Sequence, residues 1–252
     1  ERIKVLRVEL AVIYRDQLDN THEAEVQLQE ALNLDERDID LYEALEAMYT
    51  RQERWQDLVD LIDRRYVVFI DQPEANELLL RIATIHDEFA RDGVTAVEAY
   101  RRVLLEVPAD ATSETAIKRL LREQSRDQDL AEFLEDRILV HQGEAQAVLD
   151  LKLELARLYA EKLYEPERAL ELWTQILQDH PHHPETVASL EALFERDEAL
   201  RQPIAELLEP LYLEREQWKP LIHMLRTKAE IEPDTFTRVE LLGRIASIAE
   251  LQ

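Results

Sequence analysis

The most constraining feature of this sequence is a pattern that recurs every 72 to 73 residues. Its copies are anchored by the alanines Ala11, Ala83 and Ala156, each preceded by Leu or Ile. Three residues after each anchor comes Tyr or His, and ten residues after that another Ala. Because recurrence at a fixed spacing is typical of repeat architectures, the pattern predicts a chain built from similar stacked units.

A weaker second copy within each unit halves this period. Apolar residues equivalent to Leu10 recur at Leu45, Ile82, Ile117, Leu155, Leu190 and Ile245. The first five steps are 35 to 38 residues, which is the length of one helical hairpin. The last step is 55 residues, about one helix more than expected. The excess predicts an irregular extra helix at about residues 197–214, with a bend near Pro210.

Helical periodicity between short breaks predicts an all-α fold of stacked antiparallel helical hairpins. The apolar spacing and the breaks favour about 14 helices, at residues 1–17, 21–33, 38–51, 54–70, 74–91, 93–106, 111–125, 127–141, 144–162, 166–178, 184–196, 198–214, 217–231 and 235–251. No low-complexity linker divides the chain, so we expect a single solenoid over residues 1–252. The helix patterns that begin at Glu1 and end at Gln252 suggest a fragment of a longer repeat protein.

Composition excludes several classes of function. The three glycines are far apart, which is unlike a phosphate-binding loop, and the chain has no cysteine for disulfides, zinc ligation or thiol catalysis. A net charge of −25 opposes binding to nucleic acid and to anionic membranes. No apolar segment approaches the length of a membrane span. We expect a cytoplasmic location, with the periplasm left open because the first residue is not Met.

The repeat resembles the tetratricopeptide repeat (TPR) family, in a divergent form found in bacterial arrays. Residues that match the family pattern best are Leu155, Ala156, Tyr159, Ala169, Trp173 and Pro181. The connection between the two helices is one residue longer than in the common 34-residue form, and Glu46 and Lys118 stand where Ala or Gly is usual. The resemblance implies a right-handed superhelical scaffold that binds proteins without catalysis or cofactor.

In such a scaffold the first helix of each hairpin lines the concave face. The residues that this register assigns to a binding face are Arg15, Asp40, Glu43, Glu77, Asp87, Arg119, Arg122 and Arg157. They predict a groove that is acidic around the second and third hairpins and basic around the fourth and fifth. The alternative is an ordinary solvated surface without a ligand.

Two further groups of residues have candidate roles. His180, His182 and His183 are the one cluster that resembles a metal site, but a His-rich turn between two prolines is the better interpretation, so we predict no metal site. Trp173 occupies a core position of the repeat, whereas Trp55 and Trp218 begin equivalent helices and favour a role as wedges between helices. No catalytic pair is predicted.

The sequence therefore predicts a non-catalytic scaffold that binds a peptide or helix of a partner protein, which could be basic. A structural spacer, or a homo-oligomerising arm of a larger bacterial assembly or signalling protein, is the alternative. Residues 237–252 repeat the pattern of a first helix without the second, so the C-terminal end could also form a homodimer.

Overall fold

A computed structural model describes residues 2–250 and contains fourteen α-helices and no strand in that range. The helices are α1 (Arg2–Asp16), α2 (Thr21–Leu34), α3 (Ile39–Arg51), α4 (Trp55–Val68), α5 (Ala75–Thr84), α6 (Gly93–Glu106), α7 (Ala111–Glu123), α8 (Asp127–Val140), α9 (Ala145–Leu158), α10 (Pro166–Asp179), α11 (Pro184–Arg196), α12 (Arg201–Glu214), α13 (Trp218–Ile231) and α14 (Thr235–Glu250). The predicted all-α class is confirmed, and each helix lies where the sequence pattern predicts it.

Compact packing divides the chain into two units, Glu1–Arg126 with α1 to α7 and Asp127–Gln252 with α8 to α14. Within each unit consecutive helices pack against each other. First and second helices alternate as the repeat predicts, except at α11 and α12 of the second unit. The sequence has no composition change at this boundary. The single solenoid over residues 1–252 stays a prediction.

Small and large residues of the repeat account for the packing in each hairpin. Ala83 and Ala156 are fully buried. Their short side chains let the second helix of the hairpin approach the first closely. Ile82 and Leu155, which precede these alanines, fill the core and are almost completely buried. Leu10, at the same register, is 43% exposed, because no described helix pair precedes α1 and covers it.

Turns between first and second helices are of two kinds. In the turn after α3, the N–H of Arg54 donates to the carbonyl of Tyr49, five residues back. In the turn after α9, the N–H of Glu165 donates to the carbonyl of Tyr159, six residues back, and a π-helical segment, Tyr159–Leu163, ends the helix. A π-helical segment also ends α5, at Ile85–Phe89. This wider turn holds the additional residue by which the repeat exceeds the common form.

The extra helix duplicates the first helix of a hairpin. Leu208 is buried. The backbone carbonyl of Tyr212 accepts the N–H of Gln217 at 2.9 Å, just as the backbone carbonyl of Tyr49 accepts the N–H of Arg54 at the end of α3. From Leu208 to Ile245 the distance along the chain is 37 residues, which is an ordinary repeat step. Both α11 and α12 therefore have the character of first helices, and the excess lies between Leu190 and Leu208.

The helix predicted at 198–214 begins three residues later, at Arg201. Asp197 delays it, because its side chain accepts the N–H of Ala199 in a turn. Pro210 lies within α12, which continues to Glu214. The predicted bend at this proline stays a prediction.

Candidate protein-binding face

The predicted binding residues lie on first helices, but the structure brings only two of the eight together. The guanidinium of Arg119 in α7 forms an ion pair with Asp87, in the π-helical end of α5. Arg15 pairs instead with its neighbour Asp16, and Arg157 pairs with Glu185 of α11. The side chains of Asp40, Glu43, Glu77 and Arg122 are exposed.

Asp87 is the centre of a satisfied polar group between α5, α6 and α7. Its carboxylate is 9% exposed and accepts the hydroxyl of Tyr100 at 3.2 Å, in addition to the Arg119 guanidinium. Burial raises the pKa of Tyr100, and the hydrogen bond with Asp87 raises the pKa of Arg119. A depression of 470 Å³ remains beside Arg119, towards the α5–α6 turn, and Tyr100 does not line it.

The equivalent place in the second unit has lost this polar group. One repeat of 73 residues after Asp87 and Tyr100, the chain has Ala160 and Trp173. The position of Arg119 in α7, two residues after Ile117, corresponds to Ala192 in α11, two residues after Leu190. Two short side chains therefore stand where the first unit has an ion pair between a buried carboxylate and an exposed guanidinium.

An open cleft of 410 Å³ lies between α9 and α11 at this position. We call it the α9–α11 cleft, and the residues that define it are Arg157, Ala160, Trp173, Glu185, Ala192 and Arg196. The Trp173 side chain, from α10, is 3% exposed, as the repeat predicts for a core position. Its Nε1 atom is buried and has no hydrogen-bond partner among the described residues. Nearly all buried polar groups are hydrogen-bonded in folded proteins, so this unpaired donor is an exception.

Charged side chains surround the cleft in a balanced way. Arg157 of α9 lies in ion-pair contact with Glu185 of α11. Arg196 donates from Nη2 to the backbone carbonyl of Ala160 at 3.2 Å and so joins the end of α9 to α11. Glu161 and Ser189 complete the polar part of the lining. The cleft thus has an apolar base of alanines and Trp173, with charges of both signs at its edge.

Sequence reasoning found Arg157 but missed Glu185, Arg196 and the cleft itself. A signal was present, because the repeat register places Ala160 and Ala192 where the preceding unit has Asp87 and Arg119. This replacement of long side chains by alanines predicts an open space only if the two positions are known to face each other. The repeat register alone does not show that they do.

The histidine cluster serves local structure. Nδ1 of His183 accepts the N–H of Thr186 at 3.3 Å and caps the start of α11. Nε2 of His182 lies 3.2 Å from Glu214 of α12. Between residues 2 and 250, no three His, Asp or Glu side chains are grouped in a way that would hold a metal ion.

Trp55 packs as a wedge between helices, as predicted. Its ring lies 4.9 Å from that of Phe89, in the π-helical end of α5. The contact joins the start of α4 to the next hairpin, so Trp55 is part of the packing of the first unit.

Glu46 is an acidic residue at a position where the repeat usually has Ala or Gly. It is 6% exposed, and its Oε1 accepts from Nη1 of Arg65 in α4 at 2.9 Å. Its second carboxylate oxygen accepts from Arg81 of α5. The departure from the family pattern is therefore compensated, because two guanidinium groups neutralise the buried charge.

Comparisons with known proteins give similarities of fold. No family model matches the chain, and no curated protein matches it. Among solved structures, the human IFIT1 dimer with PPP-AAAA matches with a TM-score of 0.45 and 13% identity, over 92% of this chain and 55% of that chain. This chain therefore spans about half of IFIT1.

Several of the matched structures are described as tetratricopeptide repeat (TPR) proteins. One, from Parabacteroides merdae ATCC 43184, matches with a TM-score of 0.34 and 14% identity over 96% of this chain and 98% of that one. The TPR domain of P58(IPK) matches with a TM-score of 0.34 and 14% identity, over 98% of this chain and 66% of that one. Proteins of this repeat class are thus among the structures similar to the chain, in agreement with the sequence pattern. At such identities and TM-scores the likeness assigns no function.

None of the described helices is both long and apolar enough to cross a lipid bilayer.

Proposed function

We propose that this protein is a non-catalytic interaction scaffold that binds a peptide or helix of a partner protein on the face formed by its first helices. The observation that carries the proposal is the α9–α11 cleft, an open groove between two first helices that is lined by Trp173, by alanines and by charged side chains of both signs. An open groove between stacked hairpins can hold an extended or helical segment, whereas catalysis usually requires an enclosed pocket.

Charge adds a preference to this proposal. Asp40, Glu43 and Glu77 are exposed on α3 and α5 of the first unit. With a net charge of −25, the protein attracts basic segments at long range and repels acidic ones. A basic partner segment that reaches the first helices of either unit is therefore favoured.

The proposal is tested with a displayed library of random twelve-residue peptides, selected on the full 252-residue protein. Hydrogen exchange then locates the selected peptides. We expect slower exchange of backbone amides in α9 and α11, and unchanged exchange in the neighbouring second helices α8 and α10. Failure to select any peptide, or protection confined to α8 and α10, contradicts the proposal.

The second candidate is a self-associating arm, which is favoured by apolar side chains on the outermost helices. In α14, Phe236, Val239 and Leu242 are exposed, and Phe236 is 79% exposed. In α1, Ile3 and Leu6 are more than half exposed. Sedimentation equilibrium tests this function. A concentration-dependent dimer that Phe236→Ser abolishes would support it, whereas a monomer at all concentrations would contradict it.

A further inference from the structure

We propose that a pocket between α11, α12 and α13 binds an arginine side chain of a partner protein, whose guanidinium forms an ion pair with Glu191. The pocket has a volume of 220 Å³. We call it the Glu191 pocket, and the residues that define it are Glu191, Glu195, Leu208, Tyr212, His223 and Met224. It shares no lining residue with the α9–α11 cleft, so the inference goes beyond the proposed function.

A tyrosine that donates its hydroxyl to a glutamate of the preceding helix occurs three times in the repeat. The three pairs are Tyr49 with Glu25, Tyr159 with Glu135, and Tyr212 with Glu191. Each tyrosine lies four residues after a Leu at the Leu10 register. The third pair lines the Glu191 pocket, and its hydrogen bond is 2.6 Å long.

The first two pairs are each completed by an arginine near the start of the following helix. Arg54 donates from Nη2 to Glu25 at 3.1 Å, and its guanidinium carbon lies 4.7 Å from the centre of the Tyr49 ring. Arg168 binds the second pair in the same way, with its guanidinium carbon 4.2 Å from the ring centre. A guanidinium is thus the cation that this arrangement of Tyr and Glu holds twice in the same chain.

The third pair has no such arginine. Gln217 holds the register position of Arg54, immediately before the tryptophan that begins the second helix in both hairpins. Pro220 holds the position of Arg168, once the additional residue of the wider turn is subtracted. Within residues 2–250, no Lys or Arg side chain forms an ion pair with Glu191. A guanidinium at this pair has to come from another molecule.

The charge of the pocket favours a cation over other occupants. Glu191 and Glu195 lie one turn apart on α11, and both are exposed. Glu195 has a neighbour within the chain, since Nε2 of His223 lies 2.7 Å from its Oε1. Oε1 of Glu191 accepts the Tyr212 hydroxyl, whereas its Oε2 has no hydrogen-bond partner in the described part of the chain. An arriving cation therefore gains an ion pair, in a protein of net charge −25 that attracts it at long range.

An arginine fits the remaining lining better than a lysine does. Phe194, Leu208 and Met224 line the pocket and are buried, so they suit the methylene part of a long side chain. A guanidinium can donate two N–H groups to one carboxylate and stack on an aromatic ring, whereas an ammonium is a compact, strongly hydrated charge. The volume is below the roughly 300 Å³ of small-molecule sites, which favours a single side chain.

The two methionines of the chain provide the measurement. Met224 lines the Glu191 pocket, and Met48 lies in α3 of the first unit. The full protein, labelled with ¹³C at the methionine methyl groups, is titrated at neutral pH with N-acetyl-arginine methylamide. We expect a saturable shift of the Met224 signal and a constant Met48 signal.

Two related compounds test which property of arginine is recognised. N-acetyl-citrulline methylamide has nearly the same shape without the charge, and it should bind about tenfold more weakly because the ion pair is lost. N-acetyl-lysine methylamide keeps the charge without the planar fork, and it should bind about three- to fivefold more weakly.

A variant of the carboxylate tests its role. Glu191→Gln keeps an acceptor for the Tyr212 hydroxyl but removes the charge, so it should weaken binding of the arginine compound about tenfold. Glu206→Gln is the matched control, because Glu206 is an exposed carboxylate of α12 outside the pocket, and it should bind as the unchanged protein does.

The most specific variant restores the arginine that the repeat has lost. Gln217→Arg places a guanidinium at the register position of Arg54, so it should block the arginine compound and raise the melting temperature by about 1–3 °C. Gln202→Arg adds the same charge at an exposed position of α12 outside the pocket and should change neither property. Unchanged circular dichroism and an unchanged Met48 signal show that each variant is folded.

The outcomes separate this inference from the proposed function. A Met224 signal that stays constant, or that responds equally to the citrulline compound, overturns the ion pair with Glu191. Full binding to Glu191→Gln or Gln217→Arg also overturns it, and equal binding of the lysine compound overturns the choice of arginine. Selected peptides that protect α9 and α11 support the scaffold function whatever the Met224 signal does, and failure to select any peptide leaves a saturable Met224 shift as support for this inference.

Discussion

The hydroxyl of Tyr159 donates to Oε1 of Glu135 at 2.6 Å and thereby joins the end of α9 to α8. Arg168 of α10 binds the same oxygen at 2.8 Å, and its guanidinium carbon lies 4.2 Å from the centre of the Tyr159 ring. One tyrosine thus connects three helices through a hydrogen bond and a cation–π contact.

The same arrangement occurs in the first unit. There Tyr49 donates to Glu25 at 3.1 Å, and the guanidinium carbon of Arg54 lies 4.7 Å from the centre of the Tyr49 ring. Glu25 also accepts from Arg54 at 3.1 Å. The polar group is therefore a recurrent connection between consecutive hairpins.

The first prediction concerns the hydroxyl of Tyr159. Tyr159→Phe should lower the free energy of unfolding by about 1 kcal/mol, because the buried ring stays but its hydrogen bond to Glu135 is lost. Arg168→Ala should cost less than about 1 kcal/mol, since its ion pair with Glu135 is nearly half exposed. Urea unfolding measures both changes. Tyr164→Phe is the control, because Tyr164 is exposed, and a loss as large as that of Tyr159→Phe would contradict the interpretation.

The second prediction concerns the buried carboxylate of Glu46. Glu46→Gln preserves the size of the side chain but leaves Arg65 without its neutralising charge, so the variant should be about 2 kcal/mol less stable. Glu43→Gln, on the exposed side of the same helix, should change stability by less than about 0.5 kcal/mol. Equal stability of the two variants in urea would show that α3 does not depend on this ion pair.

The third prediction is a loss of stability at alkaline pH. Burial raises the pKa of Tyr49 to about 12, above the value of about 10 expected in the unfolded chain. The folded state thus favours neutral Tyr49, and this contribution is complete below about pH 10 and is lost as the pH rises towards about 12. Urea midpoints at pH 9 and pH 11 should fall less in Tyr49→Phe than in the unchanged protein. Parallel decreases in the two proteins would exclude Tyr49 as a source of the pH dependence.

The fourth prediction concerns backbone strain at Tyr164, which has φ 57° and ψ 40°. A side chain in this left-handed conformation costs about 1–2 kcal/mol, part of which glycine recovers despite its greater flexibility in the unfolded state. Tyr164→Gly should therefore stabilise the protein by about 0.5–1 kcal/mol, since the ring is 82% exposed and makes little packing contact. Tyr164→Ala is the control, because it removes the ring and keeps the strain. A melting temperature of the Gly variant at or below that of the Ala variant would contradict this explanation.

Six described residues other than glycine have this conformation, and none of the glycines does. They end first helices at two register positions, which are Asp19, Arg91 and Tyr164 in the wider turns and Glu53, Ser125 and Glu216 in the shorter ones. The turns thus accept other residues at positions where glycine would be less strained.

Helix positions could be predicted from the sequence because their determinants are local. The apolar spacing, the capping residues such as Asp92 and Asp110, and the proline at the start of α10 all act within a few residues of each helix end. The recurrence of Leu10-type residues also identified the hairpins and the extra helix. The π-helical ends of α5 and α9 were not predicted, since the extra residue in the connection fixes the length of the turn and not its hydrogen bonding.

The sequence by itself determined an all-α chain of helical hairpins, with small residues at the close contacts and first helices in a common register. Tertiary structure alone decided which side chains of neighbouring first helices meet. At equivalent positions, Asp87 and Arg119 form an ion pair, whereas Ala160 and Ala192 line the α9–α11 cleft. The physical reason is that such a contact depends on side chains from three helices at once, and their pairing is set by packing distances that no single helix encodes.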